Sequence, residues 1–238
     1  MENIHSLISN PTGLGMDMMA ERLSHLTSII DFNSITSIID VGSAHGYESL
    51  NLARVFENAH VYGFEPTPEH FQHCTWLQSQ VDISIASRMH FANLALNDSD
   101  GYIKFYPLDE AKAKGNNTGM ASKFQLIDPN VFSHEINIQK EITVAALTLD
   151  TWCNHTNVKP DIIWMDAQGA ESAILNGAKN SLSTVKVIMT EAGTTAYYKG
   201  QGLKKDIDDI LLNCGFVELI SARKIMHQYE MDTIYIRS

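Results

Sequence analysis

Apolar positions along this 238-residue chain alternate between two patterns. Short unbroken apolar runs mark strands buried on both faces. Between them lie segments whose apolar residues recur every three or four positions, as on a helix face. After a turn-rich opening at Ser9–Met16, the pattern predicts a helix over Asp17–Ile30. Strands are predicted over Ser37–Val41, His60–Phe64, His90–Leu96, Tyr102–Tyr106, Ile142–Ala146, Asp161–Met165 and Val185–Thr190. The intervening helices are predicted over Tyr47–Glu57, Pro68–Gln80, Ala170–Leu182 and Leu203–Cys214, the last stopped by Gly215. Phe216–Ser221 and Thr233–Arg237 read as a closing antiparallel pair. Strands alternating with helices imply an α/β fold, a mostly parallel doubly wound sheet with helices on both faces and an antiparallel C-terminal strand.

Pro107–Glu141 breaks the rhythm with Gly115, Asn116, Asn117, Gly119 and Pro129. The chain therefore reads as one domain, 1–238, with an N-terminal helical extension at 1–35 and an inserted loop region at 107–141. Long loops are often functional. Here the expectation is a lid over an acceptor, with Lys112, Lys114 and Lys123 facing an anionic group.

Composition narrows the partners. Lysine and arginine total 17 against 28 acids, a formal net charge of -11, which argues against a phosphate backbone as ligand. Hydrophobic residues, at 44%, suffice for a full core. No apolar run is long enough to span a bilayer, and the first residues show no leader pattern. Cys74, Cys153 and Cys214 show no metal or redox spacing. The expectation is a soluble, cytoplasmic protein with no membrane span.

Chemistry gathers at strand ends, where open α/β sheets bind ligands. Asp40-Val41-Gly42-Ser43-Ala44-His45-Gly46 follows the first strand. Gly42 permits a sharp turn, and Gly46 permits a ligand to approach the backbone. The acid at Asp40 suits a cationic amino group. Phe64-Glu65-Pro66 ends the second strand, where a carboxylate accepts both hydroxyls of a ribose. Asp166-Ala167-Gln168-Gly169-Ala170-Glu171 ends a central strand and opens a helix, with Asp166 and Gln168 facing the same crevice. Asp166 also suits a helix cap, and Glu171 a charge favoured by the helix dipole. Glu191 ends the next strand and meets Asp166 across the crevice.

These pieces, in this order, resemble the FkbM-type methyltransferases from about Ile38 to Phe216. The resemblance is carried by Ile39-Asp40-Val41-Gly42 with Gly46-Tyr47, Gly63-Phe64-Glu65-Pro66, Ala95-Leu96-Asn97-Asp98 with Gly101, Leu147-Thr148-Leu149-Asp150 and Met165–Glu171. Ser43-Ala44 and His45 depart from the usual loop residues. The resemblance implies a Rossmann-like class I methyltransferase fold, S-adenosylmethionine as cofactor, and O-methylation of a small-molecule or glycan hydroxyl, often of a sugar. Candidate cofactor contacts are Asp40, Gly42, Ser43, Gly46, Tyr47, Glu65, Pro66, Asn93, Leu94, Ala95, Asp166 and Gln168. Candidate bases are Asp166, Glu191 and His45; His134 and His227 are further histidines that could approach the acceptor. Asp166 and Glu191 are alternatively ligands for Mg2+. Two rival classes are a nicotinamide-dependent oxidoreductase, which the missing GxGxxG disfavours, and a non-catalytic cofactor-binding member of the fold.

Overall fold

The structure is a computed structural model that describes residues 16–109, 111–113, 119–130, 136–220, 224–227 and 230–238. Expectations resting on Ser9–Gly15, Lys114, His134 and the side chain of His227 lie outside the described residues.

The chain opens with α1 (Met16–Leu26), then alternates β1 (Ser37–Val41), α2 (Tyr47–Val55), β2 (His60–Phe64), α3 (Pro68–Ser79), the short α4 (Ile83–Ala86) and β3 (Met89–Ala92). Three short strands follow, β4 (Ala95–Leu96), β5 (Gly101–Phe105) and β6 (Ile142–Leu147). Then come α5 (Leu149–Thr156), β7 (Ile162–Met165), α6 (Glu171–Asn176), β8 (Val187–Gly193), α7 (Lys204–Asn213), β9 (Phe216–Glu218), β10 (Lys224–His227) and β11 (Glu230–Arg237).

Eight strands form the main sheet in the order β10-β11-β8-β7-β1-β2-β3, with β9 also pairing β11. Strands β3, β2, β1, β7 and β8 run parallel, and β11 lies antiparallel to β8 with Asp232 opposite Glu191. Alternation along the strands divides the core in two. Ile38, Ile162, Trp164, Val187 and Met189 pack under α1, α2 and α3. Ile39, Ile163, Met165 and Ile188 pack against α5, α6 and α7. The apolar runs are continuous because both faces are covered.

Four expectations need correction. The strand expected over His90–Leu96 is two: β3 belongs to the main sheet, whereas β4 joins β6 and β5 in a separate three-stranded sheet. The helix expected over Ala170–Leu182 ends at Asn176, with turns and a short 3-10 helix at Ser181–Ser183 completing the span. Helices α4 and α5 were absent from the periodicity reading; α5 is capped by Thr148, whose side chain accepts from the Thr151 N–H. The inserted region is not a free excursion in its described parts. Tyr106 bridges Ser122, Leu108 bridges Gln139, and Leu126 bridges Tyr198. Among the described residues no helix is long and apolar enough to cross a membrane.

Candidate active site

Parallel strands direct their carboxyl ends to one edge, and the site is built from the ends of β1, β2, β7 and β8. At Gly42 the backbone turns with φ +82°, and a Cβ there would lie 1.9 Å from the Asp166 carbonyl oxygen. Only glycine lets the β1 exit pass so close to the β7 exit. Asp166 N–H donates to the Val41 carbonyl at 3.0 Å, locking the two exits together. Gly46 begins α2 with φ +84°, and its missing Cβ is faced by Cys74 and Phe91 at 3.3 Å. A side chain at this position would press on α3 and β3.

Asp40 lies buried beneath α2, where Ser49 Oγ donates to its carboxylate. Burial raises its ionisation to about 6, against the pull of the serine hydroxyls. Ser43 is buried with its hydroxyl on the Asp40 carbonyl at 3.2 Å, and Tyr47 packs at the edge of the core under α2. His45 stacks near His70 and His73, with ring centroids 4.6 and 5.0 Å away. None of these four, nor Gly46, Asn93 or Glu191, lines the main cleft.

That cleft is open to solvent at its mouth, with about 580 Å³ of space between its walls and the outside included. Val41, Gly42, Phe64, Pro66, Leu94, Ala95, Ile103, Phe105 and Ile174 give it apolar walls, while Glu65, His70, Lys123, Asp166 and Gln168 supply the polar groups. Glu65 accepts the Ala44 N–H at 2.8 Å through one oxygen and the Thr67 N–H at 2.7 Å through the other. Each oxygen keeps acceptor capacity for a ligand hydroxyl. Burial pushes its carboxyl up to about 7, against those donors. Asn93 Nδ2 donates to the Glu65 and Pro66 carbonyls at 2.9 and 3.2 Å, so Asn93 shapes this corner rather than facing the cleft. His70 Nδ1 lies 3.8 Å from Glu65, and burial lowers its ionisation to about 4, leaving the ring neutral.

The second polar group is a linked pair. Gln168 Nε2 donates to Asp166 Oδ1 at 2.7 Å and to Glu191 Oε2 at 3.1 Å. Glu191 is raised well above the usual carboxylate range by burial, then by Asp166, Glu230, Glu171 and Asp232. Gln168 itself sits at φ +50°, in a turn held by Glu171, whose Oε1 accepts the Ala167 and Gly169 N–H groups at 2.9 and 3.2 Å. Glu171 is thus a buried turn-holder, where a dipole charge was the simpler expectation. Gln168, Glu191, Tyr198, Gln201 and Glu230 come together beyond the Gln168 side chain with no water-sized space between them.

Several participants carried no signal in sequence order. Glu48, raised to about 8 by burial with Asp40 and Asp166 nearby, enters from α2. Arg22 of α1 donates to buried Asp232. Tyr198 donates to Gln168 Oε1 at 2.8 Å. The inserted region contributes Gly119, Ala121 and Lys123 to the cleft wall. Lys123 donates to Asn97 Oδ1 and Lys112 pairs with Asp109, so neither amine projects unengaged towards an acceptor. The expected Mg2+ alternative finds no support in the geometry. A donor N–H2 lies between Asp166 and Glu191, and the described residues contain no group of three acids, histidines or cysteines arranged to hold an ion.

Residues 40–218 match the model of the methyltransferase FkbM domain. A 2-O-methyltransferase, NoeI, from Sinorhizobium fredii is 29% identical over 182 residues, covering 73% of this chain and 70% of its own. Among solved structures, precorrin-6y C5,15-methyltransferase from Geobacter metallireducens superposes with a TM-score of 0.51 at 12% identity, covering 97% of this chain and 93% of that one. Magnesium protoporphyrin IX methyltransferase from Synechocystis, solved with bound S-adenosylmethionine, gives 0.51 at 12% identity, covering 97% and 86%. These two share the fold.

Proposed function

Because this chain belongs to the FkbM methyltransferase family, we propose that its acceptor is a hydroxyl of a glycan or other polyhydroxylated small molecule, methylated at the expense of S-adenosylmethionine. The cleft suits that cofactor in its donor set. Glu65, with acceptor capacity left on both oxygens, takes the ribose hydroxyls. Leu94, Ala95 and Ile174 offer apolar faces to a purine, and Gly42, Asp166 and Gln168 flank the remaining end. When bound, S-adenosylmethionine supplies an electrophilic methyl group on a sulfonium that departs as a neutral thioether.

The protein's task is alignment and proton removal. One observation carries the reading: Asp166, which lines the cleft, shares a single Gln168 amide with Glu191, which does not line it. An acceptor hydroxyl entering the cleft gives its proton to this linked pair as the new carbon–oxygen bond forms. Glu191, raised above the usual carboxylate range, strengthens the pair as a proton acceptor. The similarity to a 2-O-methyltransferase supports oxygen as the accepting atom.

The test is incubation of labelled S-adenosylmethionine with a panel of p-nitrophenyl glycosides and oligosaccharides, with amine and thiol analogues as controls. Mass spectrometry of the products should locate the methyl group on a sugar oxygen. Transfer to nitrogen or sulfur alone would overturn the reading.

A further inference from the structure

The Gln168 amide can be oriented in only one chemically sensible way. Carboxylates accept, so the N–H2 end faces Asp166 and Glu191. That leaves Oε1 in need of a donor, and the Tyr198 hydroxyl fills the place at 2.8 Å. Burial pushes the phenol well above its usual ionisation, so it stays a donor at every working pH. Its ring is 1% exposed and packs with Leu108, Met120 and Leu126 of the inserted region. The backbones are joined too: Ile127 N–H donates to the Tyr197 carbonyl at 2.7 Å and Lys199 N–H to the Gln125 carbonyl at 2.8 Å. Ser122 Oγ, from the same region, donates to the Gln168 carbonyl at 2.7 Å.

We propose that Tyr198 is a positioning residue, fixing the Gln168 amide between Asp166 and Glu191 and thereby making the carboxylate pair depend on the seating of the inserted region. Without the phenol, Oε1 loses its donor and the amide is free to rotate off the pair. Glu191 then faces Asp166, Glu171, Glu230 and Asp232 with a weaker donor, with Arg22 paired to Asp232. The inference rests on the reading of Asp166 and Glu191 as groups that serve the acceptor, and the two are tested separately.

The experiment is a carbon-13 NMR titration of glutamate-labelled full-length protein, with Glu191 assigned through Glu191→Gln. Tyr198→Phe, which keeps the ring and its packing, should raise the Glu191 midpoint by about half to one pH unit, the loss of roughly one hydrogen bond to the charged form. In a Gln168→Ala background the same substitution should add no further shift. A midpoint that stays in place, or moves equally in both backgrounds, overturns the positioning role. The functional reading is checked by methyl transfer to the glycoside panel, with calorimetry of S-adenosylhomocysteine alongside. Asp166→Asn and Glu191→Gln should lower kcat strongly and change S-adenosylhomocysteine affinity little. Near-normal kcat in both variants overturns the functional reading without altering the titration result.

Discussion

The Glu65 carboxylate accepts the Ala44 N–H at 2.8 Å, which ties the end of β2 to the loop leaving β1. Burial holds this carboxyl at about 7, above its ordinary 4.5. The folded protein therefore favours the protonated form, and the associated stability is present at low pH and lost as pH rises through 7. Ligand binding has the opposite sign. Two ribose hydroxyls are best accepted by the ionised form, so cofactor affinity should rise between pH 6 and 8, by roughly tenfold per unit at most for one proton. Asp40, which also pushes Glu65 up, and neutral His70 are the titratable neighbours. Calorimetry with S-adenosylhomocysteine checks this: Glu65→Gln should bind more weakly at pH 8 and show a flat profile over that range.

The two glycines of the β1–α2 loop should fail differently when substituted. Gly42→Ala drives a Cβ to 1.9 Å from the Asp166 carbonyl oxygen at φ +82°. The β1 and β7 exits must part, at a cost of about 3 kcal/mol or more. Gly46→Ala meets Cys74 and Phe91 at 3.3 Å, a contact that small shifts relieve, leaving mainly the left-handed strain of about 1–2 kcal/mol. Urea unfolding of both variants should rank Gly42→Ala well below Gly46→Ala. Equal midpoints would show that the Gly42 turn tolerates a side chain.

The layout of the sheet was legible because strands buried on both faces leave largely apolar runs, Ile162–Met165 unbroken and Ile38–Val41 interrupted only by the buried Asp40. Strand ends were legible for the same reason, which is why Glu65, Asp166 and Gln168 were found and do line the cleft. What periodicity missed depends on contacts distant in sequence. Cys74 and Phe91, which crowd any side chain at Gly46, lie 28 and 45 positions away from it. Asn93 reads as a contact until its amide is seen holding two carbonyls of the neighbouring loop. Tyr198 lies 30 positions from Gln168, and no local pattern links them.

Glu171 should be essential to the turn that presents Gln168. Its Oε1 accepts two backbone N–H groups, and it is 2% exposed. Glu171→Ala leaves both donors without that acceptor, at a cost of about 2–4 kcal/mol, and releases the φ +50° turn at Gln168. Glu171→Gln retains an acceptor oxygen and should lose far less. Burial raises Glu171 to about 7, so wild-type stability from this group falls as pH climbs from about 4.5 through 7, and Glu171→Gln should lose that slope. Thermal unfolding at pH 6 and 8 checks both statements. An alanine variant as stable as wild type would mean that the turn is held elsewhere.

The N-terminal helix bears on the site through one cation. Arg22 of α1 donates to Asp232, with 12% and 3% of the two side chains exposed, and its guanidinium lies 5.8 Å from the Trp164 ring centroid. Asp232 is opposite Glu191 in the β8–β11 pairing, so this ion pair stands beside Glu191. Removing one partner of a buried pair leaves the other charge without its counter-ion and costs about 3–5 kcal/mol. Arg22→Met should therefore lower Tm by roughly 10 °C for a chain of this size. Arg22→Met with Asp232→Asn should recover most of the loss, because no uncompensated charge is then left behind. A role confined to α1 packing predicts something else, an equal loss in single and double variants. The Glu191 midpoint separates the two further: Arg22→Met should raise it, since the Asp232 charge would press on Glu191 with less to offset it, and the double variant should return it towards the wild-type value. If Arg22→Met leaves both Tm and that midpoint unchanged, α1 contributes only its apolar face, Met19, Leu23 and Leu26, to the fold.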